Sequence, residues 1–274
     1  MEMREISIDE IKQIQLDILL KIDEFCRNNG IEYFLDGGTG IGAARHKGYI
    51  PWDDDIDIGM TRPNYEKFIH SFNGAVDHLY VCAPELDWRF YATYANVCDD
   101  RTVLMEGANG HLGMEMGIKV DIFPIDGTTE SYSASLRRHK LLKLLTQLMS
   151  RKRRDMSLVW KTDKWKFFTC LFVRTLVFFI NYTTLQKWVH RIATRYPFEK
   201  SSRAYDVVNP VYKRPVHCRR EVYESYIDVE FEGETLMTIK DYDVYLTDLF
   251  GDYMQLPPEE KRVPHHGFTA YWKD

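Results

Sequence analysis

The chain is poor in the features that hold small extracellular proteins together. Its 274 residues include five cysteines (Cys26, Cys82, Cys98, Cys170 and Cys218), odd in number, scattered and never spaced as C-x-x-C. That pattern speaks against a disulfide framework or a cysteine zinc site and fits a reducing cytoplasm. Charge of one sign is also lacking. A net charge of -5 gives no general pull toward nucleic acid, so no nucleic-acid partner is expected and any anion site must be local. The opening residues, MEMREISIDEIKQIQ, carry no apolar run of the secretory kind. The most apolar stretch, FFTCLFVRTLVFFI at 167–180, is shorter than the roughly 20 residues of a membrane span, and Arg174 interrupts it. A buried helix is the first expectation there, an interfacial helix the second. Internal repeats and low-complexity segments are absent.

What is present is an ordinary globular composition, 45% hydrophobic and 28% charged, enough for one large domain or a domain with a sizeable insertion. Ser7 or Asp9 caps a first helix reaching to about Asn28, with Ile11, Ile14, Ile18, Leu19 and Ile22 on one face. A short strand is expected over Ile31–Asp36, a helix from residue 39 to 46, a strand over 55–60 and a helix opening at Pro63. Further strands are read at Leu79–Ala83, Phe90–Val97, Thr102–Glu106 and Ile118–Phe123, the last closed by Pro124 and an Asp126-Gly127 turn, with a glycine-rich loop over 107–117. Residues 131–195 have almost no glycine or proline and read as three helices. The first carries Arg137, Arg138, His139, Lys140 and Lys143 and ends in Arg151-Lys152-Arg153-Arg154. A solvated basic face is the plainer reading of it; a patch for anionic lipid or a phosphorylated glycan is the sharper one. A hairpin about Glu232-Gly233, a helix over Tyr242–Phe250 and the tail LPPEEKRVPHHGF complete the chain.

The chemistry concentrates between Tyr33 and Met60, YFLDGGTGIGAARHKGYIPWDDDIDIGM, where four aspartates (Asp53, Asp54, Asp55, Asp57) fall within five residues. Carboxylates this close repel one another unless a cation or an exposed position relieves them. In an extended chain Asp53, Asp55 and Asp57 share a face while Ile56 and Ile58 point into a core. Such a face suits a hard divalent cation: magnesium, or manganese in its place. An EF-hand is excluded by counting from Asp53, because the sixth position is Ile58 and the twelfth Asn64. Gly38, Gly40 and Ala43 fit a dinucleotide fingerprint, but a ribose site needs one carboxylate rather than four, and no repeated βαβ units follow. Gly37-Gly38, with Thr39, reads better as a turn presenting backbone N–H groups to a phosphate, with Arg45 and His46 adding charge. Asp121, on the alternating strand IKVDIF beside Lys119 and Phe123, supplies a further carboxylate.

These residues resemble a known family. A glycine pair after a strand, paired acids in a second strand and one acid in a third resemble the nucleotidyltransferase superfamily with its polymerase-β-like palm. GGTGIGAARHKGYIPWDDDIDIGM, VDIFPIDG and LPPEEKRVPHH together resemble the LicD/fukutin phosphotransferases. The likeness covers about Ile31 to Asp126, the chain near Phe231 and the tail. The family's usual Leu pair is Gly40-Ile41 here, and its usual hydrophobic residue is Asp36. The resemblance implies an α+β, nucleotidyltransferase-like mixed sheet, with a catalytic core at 1–128, a helical insertion at 129–205 and a closing segment at 206–274. It further implies transfer of a phospho-alcohol, phosphocholine foremost, from a CDP-linked donor to a hydroxyl of a cell-surface glycan or its lipid-linked precursor, with release of CMP. By position, Asp55 and Asp57 bind magnesium with Asp53 beside them, and Asp121 is a ligand or the base for the acceptor proton. Lys261, Arg262, His265 and His266 join Arg45 and His46 around the diphosphate. Trp52, Trp88, Phe90, Tyr91 and Tyr94 are the candidate faces for a quaternary ammonium. The enzyme is expected in the cytoplasm, touching the inner membrane face at most. A true nucleotidyltransferase acting on a small molecule or RNA, or an idle binding subunit, are the other readings.

Overall fold

The computed structural model describes residues 4–106, 116–154, 156–209, 214–263 and 268–273. In chain order the elements begin with β1 (Glu5–Ile6), α1 (Ile8–Asn29), β2 (Phe34–Leu35), α2 (Gly37–His46), β3 (Asp57–Thr61) and α3 (Arg62–Ser71). Next come β4 (Leu79–Cys82), β5 (Ala95–Asp99), β6 (Thr102–Glu106) and β7 (Lys119–Thr128). The helices α4 (Tyr132–Arg153), α5 (Met156–Thr162), α6 (Lys164–Leu176) and α7 (Tyr182–Ala193) follow. After them lie β8 (Arg203–Asp206), β9 (Cys218–Arg219), β10 (Tyr226–Phe231), β11 (Glu234–Ile239), α8 (Tyr242–Phe250) and β12 (Phe268–Trp272). This is an α+β fold.

Of the two candidate caps for α1, Ser7 is the cap: its hydroxyl accepts from the Glu10 amide while the Glu10 carboxylate accepts from the Ser7 amide. Ile11, Ile14, Ile18, Leu19 and Ile22 are buried, and Gly30 ends the helix at φ 58°. The main sheet runs β2-β3-β7-β5-β4, with β8 on the far part of β7 and β9 on β8. The β3–β7 pair is parallel and every other pair antiparallel. One core joins α1 and α3 to β3, β5 and β7; a second joins Phe34, Ile41 and Ile125 to α4, α7, β8 and α8. A third small sheet, β1-β12-β6, ties the two ends of the described chain together.

Several sequence expectations change. β7 does not close at Pro124 but continues to Thr128. The Asp121 amide donates to Ile56, so odd positions of β7 turn N–H toward β3 and even ones turn to the other edge. Pro124 therefore misses its N–H between the last β5 partner of Ile122 and the first β8 partner of Ile125, where no acceptor is left wanting. Residues 90–94 are irregular rather than strand, because helix side chains serve their carbonyls: Gln186 donates to Phe90 and Ala92, and Arg153 and the Tyr182 hydroxyl to Tyr91.

The helical stretch holds four helices, not three, with Asp163 capping α6 by accepting from the Lys166 amide. The basic face of α4 is not uniformly solvated: Arg138 is buried, donates to Gly127 and lies over the Tyr196 and Tyr205 rings. Nor is α6 the buried helix first expected, since Cys170 is its single buried residue. The hairpin β10–β11 forms as expected, with positive φ at both Glu232 and Gly233, the geometry that matches strand twist. Among the described residues, no helix is long and apolar enough to cross a membrane.

Candidate active site

The site sits at the entrance to the parallel pair. Asp57 of β3 stands in register with Asp121 of β7, and Asn96 of β5 with Asp121 on its other side. Asn96 donates to the Asp121 carboxylate, and the Lys119 ammonium bridges both its oxygens at 2.7 and 3.0 Å. Burial works against the Lys119 charge, but Asp121 outweighs it and holds the ammonium well above the usual lysine range. Burial pushes the Asp57 carboxyl well above the usual range, and the neighbouring acids Asp55, Asp121 and Asp36 add to it, with Lys119 opposing.

The acid run reaches this point from one side. Burial alternates along residues 53–58: Asp53, Asp55 and Asp57 are partly buried, Asp54, Ile56 and Ile58 buried. The strand itself starts only at Asp57, two residues later than expected. Carboxylate oxygens of Asp53, Asp54 and Asp55 all lie within 4.8 Å of one another. Asp57 is not part of that cluster but feels the Asp55 charge directly, and it faces Asp121 across the parallel pair. Asp54 was not among the candidates; its backbone carbonyl accepts from Gln15, which pins the run against α1.

The glycine turn begins α2 two residues earlier than expected, because Asp36 is an N-cap rather than the end of a strand. Its carboxylate takes the Gly37 amide and receives the Tyr245 hydroxyl from α8. Gly37 adopts φ 50°, and the Thr39 hydroxyl accepts the Asp57 amide at 2.9 Å, fastening the helix start to the strand that bears the acid. At Gly38 a Cβ would lie 2.3 Å from Asp53 Oδ2, so glycine is what lets that carboxylate close against the turn. We therefore expect Gly38→Ala to displace Asp53 without unfolding the chain, lowering turnover by about tenfold or more with little change in melting temperature. Gly42→Ala is the contrast: its Cβ would meet the Gly48 carbonyl oxygen at 2.4 Å, a backbone atom that cannot swing aside, and stability itself should fall. At Gly40 a Cβ would lie 2.7 Å from the Leu35 carbonyl oxygen, another backbone atom.

The structure brings three of the expected cations together, Arg45, His46 and Arg262. Arg45 at the end of α2 donates to Tyr253 and to His46, and burial and Arg262 push its pKa down. Arg262 lies 5.6 Å from the centre of the Trp52 ring, whose edge meets His46. The segment after α8 therefore folds back onto the turn leading into the acids. Lys261 is exposed nearby in the chain, and His265 and His266 lie outside the described residues. Among the aromatic candidates, Phe90 is core and Trp88 packs on His190. Tyr91 and Tyr94 remain beside the Lys119–Asp121 pair; burial and then the Asp121 charge push the Tyr94 phenol well up, with Lys119 opposing.

Residues the sequence reading missed are Asn96 and the partnership of Lys119 with Asp121. The i, i+2 spacing of Lys119 and Asp121 on one face was the available signal. A buried network behind the site was also missed: Arg62, the first residue of α3, clasps Asp126 of β7 with two bonds of 2.7 Å and reaches Glu85 at 3.0 Å.

A mixed sheet with acids on adjacent parallel strands, beside a glycine-opened helix, defines an α+β enzyme core of the nucleotidyltransferase type. Residues 30–137 match the family described as LicD/FKTN/FKRP, nucleotidyltransferase domain. The chain is 30% identical over 275 residues to the lipopolysaccharide cholinephosphotransferase LicD of Haemophilus influenzae, across 98% of this chain and 99% of that protein. A stretch of 31 residues is 55% identical to the ribitol 5-phosphate transferase FKRP of human and of mouse, 11% of this chain and 6% of those proteins. The chain belongs to the LicD family.

Proposed function

We propose that the protein is a phosphotransferase that moves a phospho-alcohol, phosphocholine foremost, from a CDP-linked donor to a hydroxyl of a cell-surface glycan or its lipid-linked precursor, releasing CMP. The observation that carries this reading is the register of Asp57 with Asp121 beside the helix start that Thr39 fastens to β3. Full-length similarity to a cholinephosphotransferase supports the choice of group transferred.

The donor set fits magnesium. Asp55, Asp121 and Asp36 all disfavour charge on Asp57 and Lys119 opposes them, so a divalent ion would relieve the repulsion that remains. Asp55 and Asp57 would hold it, with Asp53 beside them. When bound, the ion neutralises charge on the donor diphosphate. The protein's own groups do the rest. The Gly37 amide is taken by Asp36, so a donor phosphate would draw on the next amides of the turn, Gly38 and Thr39. Arg45, His46 and Arg262, with Lys261, surround the leaving nucleotide phosphate. The acceptor oxygen bonds to the phosphorus of the alcohol phosphate, the bond from that phosphorus to the oxygen of CMP breaks, and the acceptor proton passes to a carboxylate. Asp121, oriented by Lys119 and Asn96, completes the acid centre as ligand or as that base. Arg153 already covers the Tyr91 ring, which leaves Tyr94 as the aromatic face for a quaternary ammonium.

Incubation with magnesium, glycan acceptor and CDP-choline labelled in the choline methyl groups tests the reading. Label on the acceptor with an equal amount of free CMP is expected. Nucleotide attached to the acceptor would overturn it in favour of true nucleotidyl transfer.

A further inference from the structure

Helix α6 is amphipathic the wrong way round for a globular protein. Its inward side has Cys170, while Trp165 (84% exposed), Phe168, Phe172 (64%) and Leu176 (67%) follow one another at helical spacing on the outside. Phe178 and Phe179, the latter 92% exposed, follow just beyond the end of the helix. Contiguous apolar surface of this kind is not left to water without a partner. The charge that should have interrupted it is turned away: Arg174 donates to the carbonyls of Lys152 and Arg154 at 2.6 and 2.7 Å, satisfying the end of α4.

The surroundings are basic. Residues 151–191 contain ten Lys and Arg against two Asp, in a chain whose net charge is -5. Lys161, Lys164 and Lys166 are exposed around the apolar face, and Arg151 lines an open depression with Trp165, Phe168 and Phe172. A second copy of this chain would bring like charges together around the same patch. A surface of anionic headgroups over hydrocarbon complements both the rim and the face.

We propose that the outer face of α6, with Phe178 and Phe179, docks on an anionic phospholipid bilayer, the aromatic side chains entering the interface while the lysines reach its phosphates. The proposal does not depend on the transfer reaction. Co-sedimentation of the full chain with vesicles tests it. Phosphatidylcholine vesicles containing phosphatidylglycerol should bind at least about tenfold more protein than phosphatidylcholine alone, and salt should weaken the binding. Trp165→Ser/Phe172→Ser and, separately, Lys164→Glu/Lys166→Glu should each lose about tenfold or more, with unchanged circular dichroism because these side chains are exposed. Wild-type protein left in the supernatant, or equal binding by either double variant, would overturn the proposal. So would a dimer seen by light scattering that Trp165→Ser/Phe172→Ser converts to monomer, since the face would then belong to a second copy.

Discussion

Asp57→Asn is expected to cut transfer by about a thousandfold while leaving the fold in place. Asparagine keeps the shape of the side chain and removes only its charge. In the native protein that charge is disfavoured by burial first, then by Asp55, Asp121 and Asp36. A carboxyl whose folded pKa lies above its unfolded value costs stability at every pH above the unfolded value, so its neutral replacement should melt at the same temperature or higher. Magnesium should separate the two proteins further. A ligand at a hundred times its dissociation constant stabilises by about 2.7 kcal/mol, a shift the wild type should show and Asp57→Asn should lose. Undiminished transfer by the variant would remove Asp57 from the reaction.

Arg62→Ala is expected to cost about 3–5 kcal/mol, because it leaves the buried Asp126 carboxylate without its cation and takes one of the partners of Glu85. For a chain of this size that corresponds to a drop of roughly 10 °C or more in melting temperature. Arg62 follows β3 directly and Asp126 lies on β7, so their paired bonds lock the ends of the same two strands whose beginnings hold Asp57 and Asp121. Activity should therefore fall along with stability. Glu85 makes the effect depend on pH. Burial pushes its carboxyl up, but the bond from His190 and the charge of Arg62 outweigh it and hold the pKa below the usual 4.5. A lowered folded pKa stabilises above the unfolded value and the benefit disappears as pH falls through the folded one. Urea midpoints of the wild type should thus decline below about pH 4.5, and more steeply than those of Arg62→Ala. Parallel curves for the two would show that Glu85 does not sense Arg62.

The sequence revealed most where the cause is local. The start of α1 at Ser7 or Asp9, the helical spacing of its five apolar residues and the turn at Glu232-Gly233 are decided by near neighbours. The acids and the glycine pair were visible for the same reason. What it concealed depends on partners far along the chain. Pro124 looks like a terminator until β5 and β8 are seen to share the edge of β7 on either side of it. Asp126 looks like a turn residue until Arg62, 64 positions earlier, is seen to bury it. Asp36 reads as the last residue of a strand because its role as cap is completed by Tyr245. In α6 the periodicity shows an apolar face, but only the packing of Cys170 and Arg174 shows which way that face looks.

The small sheet at the chain ends sets an order of assembly. β12 lies between β1 and β6, pairing Tyr271 with Glu5 and Thr269 with Met105. During synthesis β1 and β6 emerge early and wait, each with an open edge, while the four helices and the segment carrying Arg262 are still being made. Contacts this far apart in the chain close late and slowly. Until they do, the exposed edges invite pairing with other chains, and Arg262 is missing from its place over Trp52. A nascent chain should therefore have an incomplete site, however early its aspartates fold, and a ribosome that stalls short of β12 should yield a product prone to clumping.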